Sequence, residues 1–118
     1  MPEVLMLDEP LSFWGGVDPA TGRIVDRRHP QCRERVTGRV LVMPSGRGSS
    51  SSSTVLAECV RAGTAPAAIL LRHADEILAL GALVAEELYG RTLPVAVLPD
   101  EDYGELRTGD EVDPGCLG

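Results

Sequence analysis

A short loop rich in glycine and serine carries the residue types of this chain most suited to chemistry. Gly46 and Gly48 precede the serine run 49–53, between an apolar stretch and a helical pattern that starts near Thr54. Glycine lets the backbone approach a ligand, and the N–H groups and positive dipole end of a helix's first turn favour an anion. A serine hydroxyl in this position could therefore remove a proton from carbon or attack an acyl group.

The sequence of the loop leaves other interpretations open. A run of serines is also typical of a flexible linker, although the position between a strand and a capped helix argues against one. A phosphate-binding P-loop is not indicated, because neither its spacing nor its lysine is present. An acyl-transfer nucleophile requires a histidine partner, and the chain has only His29 and His73.

The two histidines differ in their surroundings. His73 follows the predicted strand that ends at Leu71, and we expect an ordinary loop residue there. His29 forms a cationic cluster with Arg27 and Arg28. Such a cluster can hold an anionic substrate, and a solvated charged loop is an equally good interpretation.

Composition excludes several classes of protein. The chain has 118 residues, 43% of them apolar and 25% charged, which predicts one globular domain with a modest core. A net charge of −7 and an aromatic content of 3% argue against nucleic acid as a partner. No apolar stretch approaches the roughly 18 residues of a membrane span, and no signal-peptide pattern is visible. We expect a soluble cytoplasmic protein that binds no membrane.

The cysteines give no sign of a metal site in this chain. Cys32, Cys59 and Cys116 are odd in number and widely separated. Neither a disulfide framework nor a zinc site has this spacing. We expect the chain to bind no metal ion or cofactor by itself.

Predicted strands and helices alternate, which indicates an α/β fold. The helix after the serine run places Val55, Leu56, Cys59 and Val60 on one face and ends at Gly63 in a left-handed cap. It lies between two predicted strands, and a parallel crossover is the simplest connection. The predicted strands are 4–7, 36–43, 66–71 and 94–99.

The remaining segments are less regular. Residues 10–30 form a long irregular region with a brief extended piece at 23–25, and such a region often lines a site or meets a partner. Residues 75–89 fit either a helix or a short strand broken at Gly81. A helical turn is expected at 101–106, and residues 113–118 are expected to be a loose end.

Two long motifs occur in a specific order along the chain. The first comprises Pro10 to Pro19, followed by Thr21-Gly22, Asp26 and His29-Pro30-Gln31; the second comprises Gly38 to Pro44 and Gly46 to Ser53. Together they closely resemble the small subunit, or swivel domain, of the aconitase X family, and the likeness runs over roughly residues 4–98. The resemblance implies a single swivelling β/β/α barrel-like domain over residues 1–118, in which edge strands are missing at both termini or the start is misassigned.

The resemblance also implies which residues act. In the aconitase superfamily a serine of the Gly-x-Gly-Ser loop removes the substrate proton. The matching residue here is Ser49, with Ser50 as the alternative. Ser51 stands where the aconitase-like pattern Gly-Ser-Ser-Arg has an arginine that binds a substrate carboxylate. Substrate contacts are therefore expected from Gly48, Ser50, Arg47, His29 and Arg28.

The implied activity needs a second chain. A large catalytic subunit would hold the iron or iron–sulfur cluster, and this chain alone would be inactive. The substrate of the family is cis-3-hydroxy-L-proline or mevalonate 5-phosphate. The first is slightly favoured here, because a sequence rich in arginine and without lysine indicates a bacterium with a GC-rich genome. A hypothesis from another class is a non-catalytic module whose loop binds a phosphate or a carboxylate.

Overall fold

A parallel sheet forms the centre of the molecule. The structure is a computed structural model that describes residues 2–47 and 50–112. Four strands lie side by side, all parallel, in the order β1 (Val4–Met6), β4 (Val40–Met43), β5 (Ala68–Leu71) and β6 (Val95–Val97). The predicted α/β class is confirmed.

Both faces of the sheet are covered. Helix α2 (Ser51–Ala62) joins β4 to β5, and helix α3 (Glu76–Tyr89) joins β5 to β6. Because successive side chains of a strand point to opposite faces, each strand contributes to two clusters. Leu41 and Ile69 pack with the helices, whereas Val42 and Leu70 belong to the cluster on the other face. That second cluster is covered by residues from the short helix α4 (Asp100–Glu105) and the segment after it, namely Tyr103, Leu106 and Val112.

Helix α2 has the predicted apolar face and the predicted end. Leu56, Cys59 and Val60 are buried, and burial raises the pKa of the Cys59 thiol. Gly63 closes the helix with φ +79°, a left-handed conformation that glycine adopts without steric cost. The helix begins at Ser51 and not near Thr54, so the serine run supplies its first turn.

Residues 75–89, which fit either a helix or a strand in the sequence, form a helix in the structure. The Asp75 carboxylate accepts hydrogen bonds from the backbone N–H groups of Ile77 at 2.9 Å and Leu78 at 3.0 Å. An aspartate in this position satisfies N–H groups that have no partner within the helix. The alternative of a short strand at 77–80 is therefore wrong.

Residues 10–30 contain more regular structure than predicted. The segment α1 (Phe13–Gly16) is one turn in which Trp14 and Gly15 depart from helical geometry. Strands β2 (Val17–Asp18) and β3 (Arg23–Ile24) then form a small antiparallel pair, which confirms the extended piece near residue 23.

The predicted strand 36–43 is shorter in the structure. It begins only at Val40, because Gly38 has φ +69° and the Arg39 N–H turns back to the Val36 carbonyl at 3.1 Å. The other predicted strands and the helical turn after residue 100 lie where expected, within a few residues.

The outer edge of β1 is paired with a later segment. The Val4 N–H donates to the Asp110 carbonyl at 2.7 Å, and the Gly109 N–H donates to the Val4 carbonyl at 2.9 Å. Residues 113–118, which include Cys116 and the predicted loose end, lie outside the described residues. No helix in the described part of the chain is long and apolar enough to span a membrane.

Candidate functional site

The carboxyl ends of the four parallel strands meet at one edge of the sheet. The described segments that leave this edge are residues 7–12, 44–47, 72–75 and 98–99. Ligands of open α/β sheets bind at this edge, where loops converge between strand ends and helix starts. The glycine and serine loop belongs to it, since it runs from the end of β4 to the start of α2.

The serine run divides into side chains with different surroundings. Ser50 is exposed at the start of α2 and makes no side-chain capping hydrogen bond. Ser52 is only 2% exposed; its hydroxyl oxygen lies 3.3 Å from the Ser12 hydroxyl and accepts from the Trp14 N–H at 3.3 Å. The Ser53 hydroxyl donates to the Ser50 carbonyl at 2.6 Å. Ser52 and Ser53 therefore have structural contacts, and Ser50 is open to a ligand.

We predict that Ser52→Ala lowers the free energy of unfolding by about 1 kcal/mol, because the Trp14 N–H loses its acceptor. Urea unfolding of the variant chain measures the loss. Ser50→Ala is the matched control and should change stability by less than about 0.5 kcal/mol, as expected for an exposed position. An equal loss of unfolding free energy in both variants would contradict the assignment of Ser52, and not Ser50, as the structural serine.

The root of the loop is fixed by a close approach at Gly46. A Cβ atom placed on Gly46 would lie 2.3 Å from Asp75 Oδ2, so a larger residue would displace the carboxylate that caps α3. Gly46 also pairs with Leu11, and the Arg47 N–H donates to the Leu11 carbonyl at 3.3 Å. The role of Asp75 was not predicted, although an aspartate directly before an apolar helical pattern is a recognised start signal.

The structure describes only some of the predicted site residues in the loop. Gly48 and Ser49 lie outside the described residues. Arg47 and Ser50, which flank them in the sequence, are both exposed at the carboxyl edge of the sheet. The roles predicted for all four residues stay predictions.

His29 is buried and both of its ring nitrogens are engaged. Nδ1 accepts from the Gln31 N–H at 3.0 Å, and Nε2 lies 3.0 Å from the Glu9 carbonyl oxygen. A backbone N–H can only donate and a carbonyl can only accept, so the proton is assigned to Nε2 of a neutral imidazole. A direct contact with a substrate anion would break one of these bonds. The predicted substrate contact of His29 stays a prediction, and its observed contacts hold the loop against Glu9.

The two arginines of the predicted cationic cluster are both exposed. Arg28 is exposed, and its backbone N–H donates to the Asp26 carboxylate at 3.0 Å. Arg27 lines a cleft of about 690 Å³ together with Arg23 and Arg33. Arg33 has φ +82°, which is strained for a residue with a side chain. The binding role predicted for Arg28 stays a prediction.

Residues after β5 also reach the carboxyl edge. The backbone N–H groups of Arg72 and His73 both donate to the Pro44 carbonyl, at 3.1 and 2.9 Å. The Arg72 guanidinium donates to Asp100 at 2.9 Å, and this hydrogen bond holds the pKa of that carboxyl below its usual value. His73, predicted to be an ordinary loop residue, is an exposed residue beside the root of the serine loop.

A family model covers almost the whole chain. Residues 2–114 match the model of the aconitase X swivel domain. The chain belongs to the aconitase X swivel domain family. The resemblance carried by the two sequence motifs is confirmed.

Two relatives illustrate the contexts in which this domain occurs. A cis-3-hydroxy-L-proline dehydratase of Pseudomonas aeruginosa is 56% identical over 104 residues, which cover 88% of this chain but 18% of that protein. A phosphomevalonate dehydratase small subunit of Methanopyrus kandleri is 48% identical over 111 residues, which cover 93% of this chain and 78% of that protein. The chain thus spans less than a fifth of the first relative and most of the second.

A solved structure supports the same family at the level of the fold. The crystal structure of Thermococcus kodakaraensis aconitase X in its holo-form matches with a TM-score of 0.78 and 35% sequence identity. The match covers 92% of this chain and 76% of that chain. The swivel-domain fold expected from the sequence is therefore confirmed.

Proposed function

We propose that this aconitase X swivel domain is the small subunit of a two-subunit hydro-lyase and supplies the serine base. The proposal is supported by the chain's membership of this family and by the positions of the two described residues next to the proposed base. Arg47 and Ser50, which flank Gly48 and Ser49 in the sequence, lie where the edge of a parallel sheet meets the start of α2. Ser49 is the proposed base, and Ser50 is the alternative.

The base must take a proton from carbon while a hydroxyl group leaves the adjacent carbon as water. A serine oxygen accepts that proton only when it carries negative charge. The positive end of the 12-residue helix α2 favours such an alkoxide over the neutral hydroxyl. The C–H electron pair becomes the new double bond while the C–O bond of the adjacent carbon breaks. The carbon-bound proton ends on the serine oxygen, and the departing hydroxide takes a proton from solvent and leaves as water.

The substrate carboxylate needs positive charge, and Ser51 replaces the arginine of the superfamily pattern. In our proposal Arg47 and Arg28 supply this charge, since both side chains are exposed. His29 contributes by holding the Arg28 loop against Glu9. Gly48 and Ser50 would contact the substrate from the loop itself.

The metal of the reaction is assigned to the partner. Among residues 2–47 and 50–112, no group of three or more His, Cys, Asp or Glu side chains is arranged to hold a metal ion. These residues do not fit an iron site, so we place the iron or iron–sulfur cluster of the family on the large subunit.

We also place the enzyme in the cytoplasm, where reducing conditions suit the free thiols of Cys32 and Cys59.

The proposed substrate is cis-3-hydroxy-L-proline. It is favoured because the dehydratase named for this substrate is 56% identical to the chain, against 48% for a phosphomevalonate dehydratase small subunit. Mevalonate 5-phosphate is the alternative. Both molecules carry a carboxylate and a hydroxyl group that can leave as water.

The test is reconstitution of the two subunits. The chain is co-expressed with the large subunit and assayed for dehydration of cis-3-hydroxy-L-proline and of mevalonate 5-phosphate. We expect turnover of cis-3-hydroxy-L-proline by the pair and none by either subunit alone. Turnover of mevalonate 5-phosphate alone would overturn the proposed choice of substrate. Failure of the chain to associate with a large subunit would overturn the proposed function.

A non-catalytic anion-binding module is the second candidate. The cleft lined by Arg23, Arg27 and Arg33 favours it, because three arginine residues line one cavity and arginine side chains bind phosphate and carboxylate groups. Calorimetric titration of the isolated chain with inorganic phosphate and with acetate tests this candidate. Tight binding by the chain, combined with no activity of the reconstituted pair, would favour the module over the enzyme.

A further inference from the structure

The side chain of Trp14 is unusually exposed for a tryptophan. It is the single tryptophan of the chain, and 62% of it is exposed to solvent. Its neighbour Phe13 is fully buried. Exposed tryptophan is uncommon on a surface that meets only water, and tryptophan is among the residues that contribute most to protein interfaces.

The backbone of Trp14 is held on both sides. Its N–H donates to the Ser52 hydroxyl oxygen at 3.3 Å, and its carbonyl accepts from the Ser12 hydroxyl at 2.9 Å. The following residue, Gly15, has φ +77°, so the chain turns sharply after the tryptophan. The indole is therefore presented from a fixed backbone, which lowers the entropy lost when a partner binds it.

This exposed side chain is coupled to the first turn of α2. Ser52, which accepts from the Trp14 N–H, lies two residues after the exposed Ser50. A chain that brings a substrate to the serine loop must therefore approach the surface that carries Trp14. The exposed Trp14 and the exposed Ser50 thus lie on segments that contact each other.

We propose that Trp14 is an anchor of the interface with the large catalytic subunit. The inference rests on the proposed function and names the surface through which the two subunits meet. Contact at Trp14 would also fix the start of α2, because the hydroxyl of Ser52 joins the two segments. Trp14 is a docking residue in this proposal and takes no part in proton transfer.

Incorporation of 5-fluorotryptophan tests the proposal at a single position. The chain gives one fluorine resonance in ¹⁹F NMR because it has one tryptophan. On titration with unlabelled large subunit, we expect this resonance to shift and broaden and to lose its sensitivity to exchange of H₂O for D₂O. An unchanged, solvent-exposed resonance in the assembled complex would overturn the proposal.

Affinity measurements provide the second arm. Trp14→Ala is expected to weaken binding of the large subunit by about 30-fold or more, the size of an interface hot spot, and Trp14→Phe by less. Leu88→Ala is the matched control, since Leu88 is 66% exposed in the last turn of α3; its affinity should stay within about twofold. Circular dichroism of each variant confirms that the chain is folded.

The outcomes separate this inference from the proposed function. If wild type does not bind the large subunit, the proposed function fails. If wild type binds and Trp14→Ala binds equally well, only the docking role fails. A concentration-dependent fluorine shift without the large subunit would place Trp14 in self-association and would also overturn the inference.

Discussion

Phe13→Ala is expected to lower the free energy of unfolding by about 3–5 kcal/mol, the cost typical of removing a buried aromatic ring. Phe13 is 0% exposed and packs in the core cluster that joins α1 and β2 to the helices. Leu11, Val17 and Ile24 belong to the same cluster, so the cavity would lie inside the main core. Domains of this kind are stable by only about 5–15 kcal/mol, and the variant would lose a large part of that stability.

The adjacent tryptophan provides a control of similar size. Trp14→Ala removes a side chain that is 62% exposed and should cost less than about 1 kcal/mol in the isolated chain. Urea unfolding of both variants, followed by circular dichroism, gives the comparison. A larger loss for Trp14→Ala than for Phe13→Ala would contradict the observed orientation of the two rings.

Apolar runs and cap residues predicted most of the central layer. The strands around Leu41 and Ile69 are continuous apolar runs, as expected for parallel strands buried on both faces. Gly63 marked the end of α2 correctly. These signals are local, so a single sequence contains them in full.

The errors at element boundaries come from contacts between distant residues. Residues 75–89 were ambiguous because Gly81 weakens a helix. In the structure the missing side chain lets α3 approach Ser53 of α2, where a Cβ atom would lie 3.0 Å from the Ser53 carbonyl oxygen. Strand β4 begins at Val40 and not at Val36, because the chain turns at Gly38, whose N–H donates to the distant Ala65 carbonyl at 3.1 Å.

The same limitation applies to the candidate site. Five consecutive serines look equivalent in the sequence, and only contact with Ser12, forty positions away, identifies Ser52 as a buried structural residue. His29 was predicted beside two arginines as part of a cationic cluster. Its actual partners are backbone groups of Glu9 and Gln31, which no residue pattern predicts.

Ser49→Ala is expected to lower kcat of the assembled enzyme by about 10²–10⁴-fold, the usual effect of removing a general base. The serine oxygen is required in the transition state of proton transfer, so KM should change little. Ser50→Ala is the matched neighbour. Because Ser50 is proposed to contact the substrate, its loss should raise KM more than it lowers kcat.

Proton abstraction by Ser49 is the central claim, and steady-state kinetics of the assembled pair on cis-3-hydroxy-L-proline test it most directly. The measurement compares kcat for wild type, Ser49→Ala and Ser50→Ala at equal occupancy by the large subunit. We predict a loss of about 10²–10⁴-fold in kcat for Ser49→Ala and a far smaller loss for Ser50→Ala. Full kcat in Ser49→Ala would contradict the assignment, and a loss confined to Ser50→Ala would move the base by one residue.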